Sequence, residues 1–159
     1  MRTLGIDPGS RVTGYGIVEQ TGGRIVRVDH GEIRIRNGEL FTRCLSRIFD
    51  ELTDVIRRTR PEAVALEDIF FGKNVKSLIK QGHVRGVALL AASRNGLPVY
   101  EYTPLEVKKA VVGYGRAEKH QVQQMVKAML NLPKVPPEDA SDALAVAICH
   151  VNTRGNAVL

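Results

Sequence analysis

A chain of 159 residues with 43% apolar and 25% charged side chains is sized and composed for one folded domain with a full core. It holds no run of about 18 apolar residues, so a membrane-spanning helix is excluded, and Met1-Arg2 leads straight into a strand pattern with no signal-peptide segment. Its cysteines, Cys44 and Cys149, fall in helical patterns, which speaks for a reducing cytoplasm, and a net charge of +6 points to an acidic partner, most often nucleic acid.

Residues 2–8 read as a buried strand and residues 12–20 as a second, in which Gly14 and Gly16 mark a close backbone approach or a bend. After the turn Thr21-Gly22-Gly23, residues 24–35 alternate apolar and polar side chains, with a slip at Val26-Arg27 and an irregularity expected near Asp29-His30-Gly31. Three strands joined by short turns predict an antiparallel meander. Phe41, Leu45, Ile48, Leu52 and Val55 recur at helical spacing across residues 39–58, and Arg60-Pro61 ends that helix. Residues 62–67 read as a short strand buried on both faces.

Residues 74–94 form a second helix in which Val75, Leu78, Ile79, Val87, Leu89 and Leu90 are apolar. Gly82 and Gly86 each weaken that helix by about 1 kcal/mol, a cost better explained by close helix contact across a dimer interface. A fifth strand follows at 99–103, then a short helix from Pro104 through Val112 and a loop at Gly113-Tyr114-Gly115. A helix at 118–130, a proline-rich connector at 132–137 and a last helix to 151 complete a single domain over 1–151, with 152–159 expected as a flexible tail. The order predicts an α/β architecture: a mixed five-stranded sheet with helices on both faces, the arrangement of the ribonuclease H-like fold.

Acids fall at three element ends that this fold gathers. Asp7 ends the apolar run Thr3-Leu4-Gly5-Ile6, and Glu67 ends the run Ala63-Val64-Ala65-Leu66. Asp139 and Asp142, three residues apart, open the Ala-rich last helix and share one of its faces. Each has a plainer account when taken alone: a strand-ending turn for Asp7-Pro8-Gly9, a solvated strand end for Glu67-Asp68, a dipole-complementing helix start for Asp139 and Asp142. Taken together, their charges would repel one another. Hard divalent cations such as Mg2+ resolve that conflict, and such centres suit phosphodiester hydrolysis.

Two basic stretches flank these acids: Lys73, Lys76, Lys80, His83 and Arg85, then Lys108, Lys109, Arg116 and Lys119. A solvated helix face accounts for Lys76 and Lys80 singly, whereas two such stretches around an acidic cluster would channel a phosphate backbone toward the metal. Phe70-Phe71 follows Glu67 where the chain leaves the sheet. Core packing or a subunit contact is the more frequent role of Phe; stacking on or wedging between bases is the sharper one. His30, His83, His120 and His150 show no metal-ligand spacing.

Gly5-Ile6-Asp7-Pro8-Gly9 with Thr13-Gly14-Tyr15-Gly16, Leu66-Glu67 with Phe70 and Lys73-Asn74, and Gln81-Gly82 with Arg85-Gly86 form one run of motifs. Val107-Lys108, Val111-Val112-Gly113, Ala117-Glu118-Lys119 with Gln121-Val122, and Asp139-Ala140-Ser141-Asp142-Ala143-Leu144-Ala145 continue it. With these motifs the chain resembles, over nearly its whole length, the RuvC family of crossover junction endodeoxyribonucleases, the bacterial Holliday junction resolvases. The resemblance implies a homodimeric, structure-selective endonuclease that resolves four-way DNA junctions in recombination and repair by paired symmetric nicks. It implies two Mg2+ ions, with Mn2+ as a substitute, held by Asp7, Glu67, Asp139 and Asp142, and Lys108 and Lys119 near the cut strand. It further implies Phe70 as the aromatic inserted at the junction, and a branch-migration complex of the RuvA and RuvB type as partner. Ser141 stands where the family usually has Ala, a small change that leaves the acid set intact. Rival readings are an actin-like ATPase, which needs a second phosphate loop this chain is too short to hold, a related nuclease acting on RNA, and a junction-binding module without catalysis.

Overall fold

Short turns and period-two alternation place the first three strands side by side: β1 (Arg2–Asp7), β2 (Val12–Thr21) and β3 (Arg24–Arg34), paired antiparallel. Two later strands, β4 (Ala63–Glu67) and β5 (Val99–Tyr102), join parallel to β1, giving a sheet ordered β3-β2-β1-β4-β5. Helices α1 (Phe41–Thr59), α2 (Val75–Arg94), α3 (Pro104–Val112), α4 (Lys119–Met129) and α5 (Glu138–Thr153) cover it. The computed structural model describes residues 1–69, 72, 74–153 and 159. No helix among them is long and apolar enough to cross a membrane.

Helices α1 and α2 bury one face of the sheet, where Leu4, Ile6, Ile17, Val64 and Leu66 meet Ile48, Leu52, Val84 and Ala88. Each large aliphatic side chain withdrawn there contributes about 1.5–3 kcal/mol. The other face carries α3, α4 and α5, with Ala65, Val18 and Tyr102 packed against Val107, Val126, Leu144 and Ile148. On that face α5 rests on bare backbone. A Cβ on Gly5 would meet the Ala143 carbonyl oxygen at 1.9 Å, and one on Gly14 would meet the Asp139 carbonyl oxygen at 1.9 Å. The close approach expected from the glycines of β2 is the seat of this helix.

Several boundaries differ from the sequence expectation. The β3 irregularity falls at Val28, just before the expected triplet: Ile17 pairs with Asp29 and Val18 with Arg27, so Val28 is the extra residue of a bulge. Thr103 leaves β5 to cap α3, accepting from the Glu106 N–H while Glu106 accepts from the Thr103 N–H. Helix α5 runs to Thr153 rather than Val151. Leu159 donates its backbone N–H to the Val99 carbonyl at 3.0 Å, so the end of the expected tail lies against β5. In α2 Val84, Ala88, Ala91 and Ala92 are buried and Val87 and Leu89 pack against the same core, while Val75, Ile79 and Leu90 are each more than half exposed.

Candidate active site

Parallel pairing of β1 with β4 sets Ile6 opposite Leu66, so Asp7 and Glu67 leave the sheet side by side. Asp7 also pairs with Gly14 of β2, and the missing side chain at Gly14 admits the first turn of α5. That turn brings Asp139 and Asp142 over the end of β1. One carboxylate oxygen from each of Asp7, Asp139 and Asp142 lies within 4.8 Å of the others. Glu67 is not in this closest set. It lines an adjoining cavity of about 200 Å³ together with Asp142, Lys108, Lys119, Pro104 and Val107.

Burial and mutual repulsion dominate the electrostatics. Burial first, then Asp142, Asp139 and Glu67, push the Asp7 carboxyl up to about 8. Burial and Asp142 raise Glu67, with Lys119 and Lys108 opposing. Asp142 is raised by burial against the pull of Lys119, and Asp139 by burial, Glu32 and Glu138. These are hard oxygen donors, converging and half-buried, with more negative charge than the protein's own cations offset. Such a donor set fits a divalent cation.

Lys119 is the local counter-charge. Its ammonium lies 3.2 Å from Asp142 Oδ2 and also contacts Glu138 Oε1. Burial works against the charged amine, but Glu138 and Asp142 hold it above the usual lysine range. Behind Asp139, Glu32 accepts a hydrogen bond from the Asp139 N–H at 3.2 Å, taking up one of the unpaired donors at the start of α5.

Of the basic residues singled out in the sequence, Lys108 and Lys119 line the cavity. Lys109 and Arg116 are exposed at and beyond the end of α3, and Lys76 is exposed on the first turn of α2. Lys80 is exposed elsewhere on α2, its ammonium 5.7 Å from the centre of the Phe41 ring. Arg85 departs from the expected role of a phosphate contact. It is only 8% exposed, donates from Nη1 to the Glu67 carbonyl at 2.8 Å and pairs through Nη2 with Glu101 at 2.9 Å. Phe70, Phe71 and Lys73 lie outside the described residues. Sequence reasoning missed Glu32, Glu138 and Glu101. Glu138 adjoins Asp139 in sequence and was within reach, but Glu32 and Glu101 enter only through strand register.

A family model described as "Crossover junction endodeoxyribonuclease RuvC" matches residues 3–150. The chain belongs to the RuvC family. A RuvC from Geobacter sp. (strain M21) is 56% identical over 159 residues, covering 100% of this chain and 97% of the relative. The solved Thermus thermophilus RuvC is 36% identical, with a TM-score of 0.88 over 97% of this chain and 95% of that one. The structure of T. thermophilus RuvC in complex with Holliday junction substrate superposes with a TM-score of 0.92 at 36% identity, over 97% and 94% of the two chains. The sheet and helices of this chain thus form the ribonuclease H-like fold expected from element order.

Proposed function

We propose that this chain is a metal-dependent endodeoxyribonuclease that resolves four-way (Holliday) DNA junctions by paired symmetric nicks, in recombination and repair. Family membership supports the reaction and substrate class. The convergence of Asp7, Asp139 and Asp142 to within 4.8 Å is the observation that carries the chemistry. The matched domain accounts for residues 3–150, in keeping with a single nuclease domain over about 1–151.

The acids are the candidate ligands: Asp7, Asp139 and Asp142 for one divalent cation, and Glu67 with the same face of the cluster for a second. Mg2+ is the physiological choice and Mn2+ the substitute. When bound, the cations supply Lewis acidity for in-line hydrolysis of the phosphodiester, leaving 5′-phosphate and 3′-hydroxyl ends. The chain's own residues do the rest. The sheet ends and α5 fix the carboxylates, so that binding costs little reorganisation. Lys119 offsets the charge of Asp142 and, held also by Glu138, keeps an ammonium at the cavity to meet a phosphate oxygen. Lys108 faces the same cavity and adds a second cation for the cut strand.

Lys73, Lys76, Lys80, Lys109 and Arg116 are assigned to phosphate contacts further along the arms, where they set affinity and salt dependence rather than chemistry. Phe70 is assigned to stacking at the opened junction. Two copies cutting opposed strands fit a two-fold junction, and the outer face of α2, with Val75, Ile79 and Leu90 exposed and open space over Gly82 and Gly86, is the surface that pairs them. A branch-migration complex of the RuvA and RuvB type is the expected functional partner. A gel assay comparing junction, duplex and RNA substrates with and without Mg2+ tests this reading: Mg2+-dependent, junction-selective nicking of opposed strands supports it, and preferential cleavage of RNA replaces it.

A further inference from the structure

The segment of β4 that carries Glu67 is held by more than its sheet ladder. Asp68 donates its backbone N–H to the Tyr102 carbonyl at 2.8 Å, and Arg85 donates from Nη1 to the Glu67 carbonyl at 2.8 Å. Both backbone groups at the strand's exit are therefore tied, one by β5 and one by α2. Arg85 is 8% exposed, and a guanidinium so withdrawn from water persists only with a partner; Glu101 of β5 stands 2.9 Å from Nη2. Glu101 lies opposite Leu66 in the β4–β5 register. Its carboxyl is raised by a hydrogen bond shared with Asp68, whose own carboxyl that bond lowers. Three elements thus converge on the peptide group that carries the Glu67 side chain.

We infer that Arg85, braced by Glu101, is a positioning residue that fixes the outgoing end of β4 and with it the direction of the Glu67 carboxylate. A pair serving packing alone is replaceable by apolar residues of similar volume at little cost. Here an apolar replacement would leave the Glu67 carbonyl without its donor at the point where the strand must stay rigid. Arg85 also places a fixed positive charge beside the strand end without entering the cavity that Glu67, Lys108 and Lys119 line. The inference rests on the proposed role of Glu67 as a metal ligand.

The test uses the full chain with Arg85→Met, Arg85→Lys, Glu101→Gln and the double variant Arg85→Met/Glu101→Gln, at a temperature where circular dichroism shows each folded. Direct Mn2+ binding by calorimetry, single-turnover junction cleavage against Mg2+ concentration, and junction affinity without added metal are measured on each. Arg85→Met is expected to weaken Mn2+ binding and slow cleavage by about 10–100-fold, the usual range for residues that orient a metal ligand. Glu101→Gln should give a smaller effect of the same kind, and the double variant should be no worse than Arg85→Met. Arg85→Lys, which keeps a donor, should recover part of the loss, and junction affinity should be unchanged throughout. A lowered melting temperature with wild-type Mn2+ affinity and cleavage rate would make Arg85 a structural residue only, and reduced junction affinity with intact metal binding would make it a phosphate contact. Either result overturns the inference. Wild type and Glu67→Gln run alongside: cleavage that survives Glu67→Gln overturns the metal-ligand reading itself, whereas silent Arg85 variants beside an inactive Glu67→Gln overturn only the positioning role.

Discussion

Replacing Asp7 by Asn should end cleavage and, at the same time, make the metal-free protein more stable. In the folded state the Asp7 carboxyl is pushed up to about 8 from an ordinary 3.8, because it is buried among Asp142, Asp139 and Glu67. The folded protein therefore holds a proton on Asp7 that the unfolded chain releases across that window. Stability attributable to this group is fully present below about pH 4 and is lost as pH rises toward about 8. At pH 7, protonating the carboxyl on folding spans about three pH units and costs at most about 4 kcal/mol. Relaxation of the site and water entry reduce that figure, so about 2 kcal/mol is a working value, or ~5 °C in melting temperature for a domain of this size. Asn abolishes that cost. Melting in EDTA from pH 5 to pH 8 is the assay: the wild type should lose stability across the range, and the Asn variant should melt higher at pH 7 with a flatter profile. Added Mg2+ should raise the wild-type melting temperature and leave the variant nearly unmoved, while junction binding, which rests on phosphate contacts, survives. A variant that melts lower than wild type in EDTA at pH 7 would refute the reasoning that Asp7 sits in an electrostatically costly cluster.

Metal binding by the wild type should strengthen as pH rises from about 6 to about 8, since the cation displaces the Asp7 proton; calorimetry in buffers of different ionisation enthalpy would count that proton. Gly14→Ala should destabilise the protein by at least about 1–3 kcal/mol and lower cleavage in what remains folded, because the new Cβ would meet the Asp139 carbonyl at 1.9 Å; denaturant melts and rates per folded molecule check both. Ile79→Glu, on the exposed face of α2, should convert a dimer into a monomer in sedimentation, and a wild type that is strictly monomeric at micromolar concentration while cutting both strands together would dispose of that interface. Phe70→Ala should leave melting unchanged and weaken junction distortion by about 1–3 kcal/mol, the worth of one aromatic–base stack; a large drop in melting temperature with normal cleavage would make Phe70 a core residue.

The acid cluster was legible because its members end or begin elements whose apolar runs are plain in the sequence. Asp7 and Glu67 each close such a run, and α5 announces itself by its alanines and the three-residue spacing of its acids. Helix α1 was legible for the same reason: Ile48, Leu52 and Val55 are buried in the core and Leu45 packs against it, and Cys44, outside the expected set, is fully buried beside them. Helix α2 was legible in part: Val87 and Leu89 of its apolar set pack against the core, and helical spacing alone did not separate them from Val75, Ile79 and Leu90, each more than half exposed. Arg85 read as a surface cation because nothing local marks burial; its partner Glu101 lies on another strand and meets it only through the β4–β5 pairing. Glu32 was invisible likewise, since its contact with Asp139 needs the β2–β3 register that sets Gly14 opposite Glu32.

Single-turnover cleavage of a mobile four-way junction, titrated with Mg2+ and resolved on a denaturing gel, tests the central claim most directly. The account predicts no cleavage in EDTA, saturable cleavage with Mg2+ and again with Mn2+, nicks placed symmetrically in opposed strands, and no cleavage by Asp7→Asn at any metal concentration. Cleavage that proceeds undiminished in EDTA, or that Asp7→Asn retains at the wild-type rate, would contradict it.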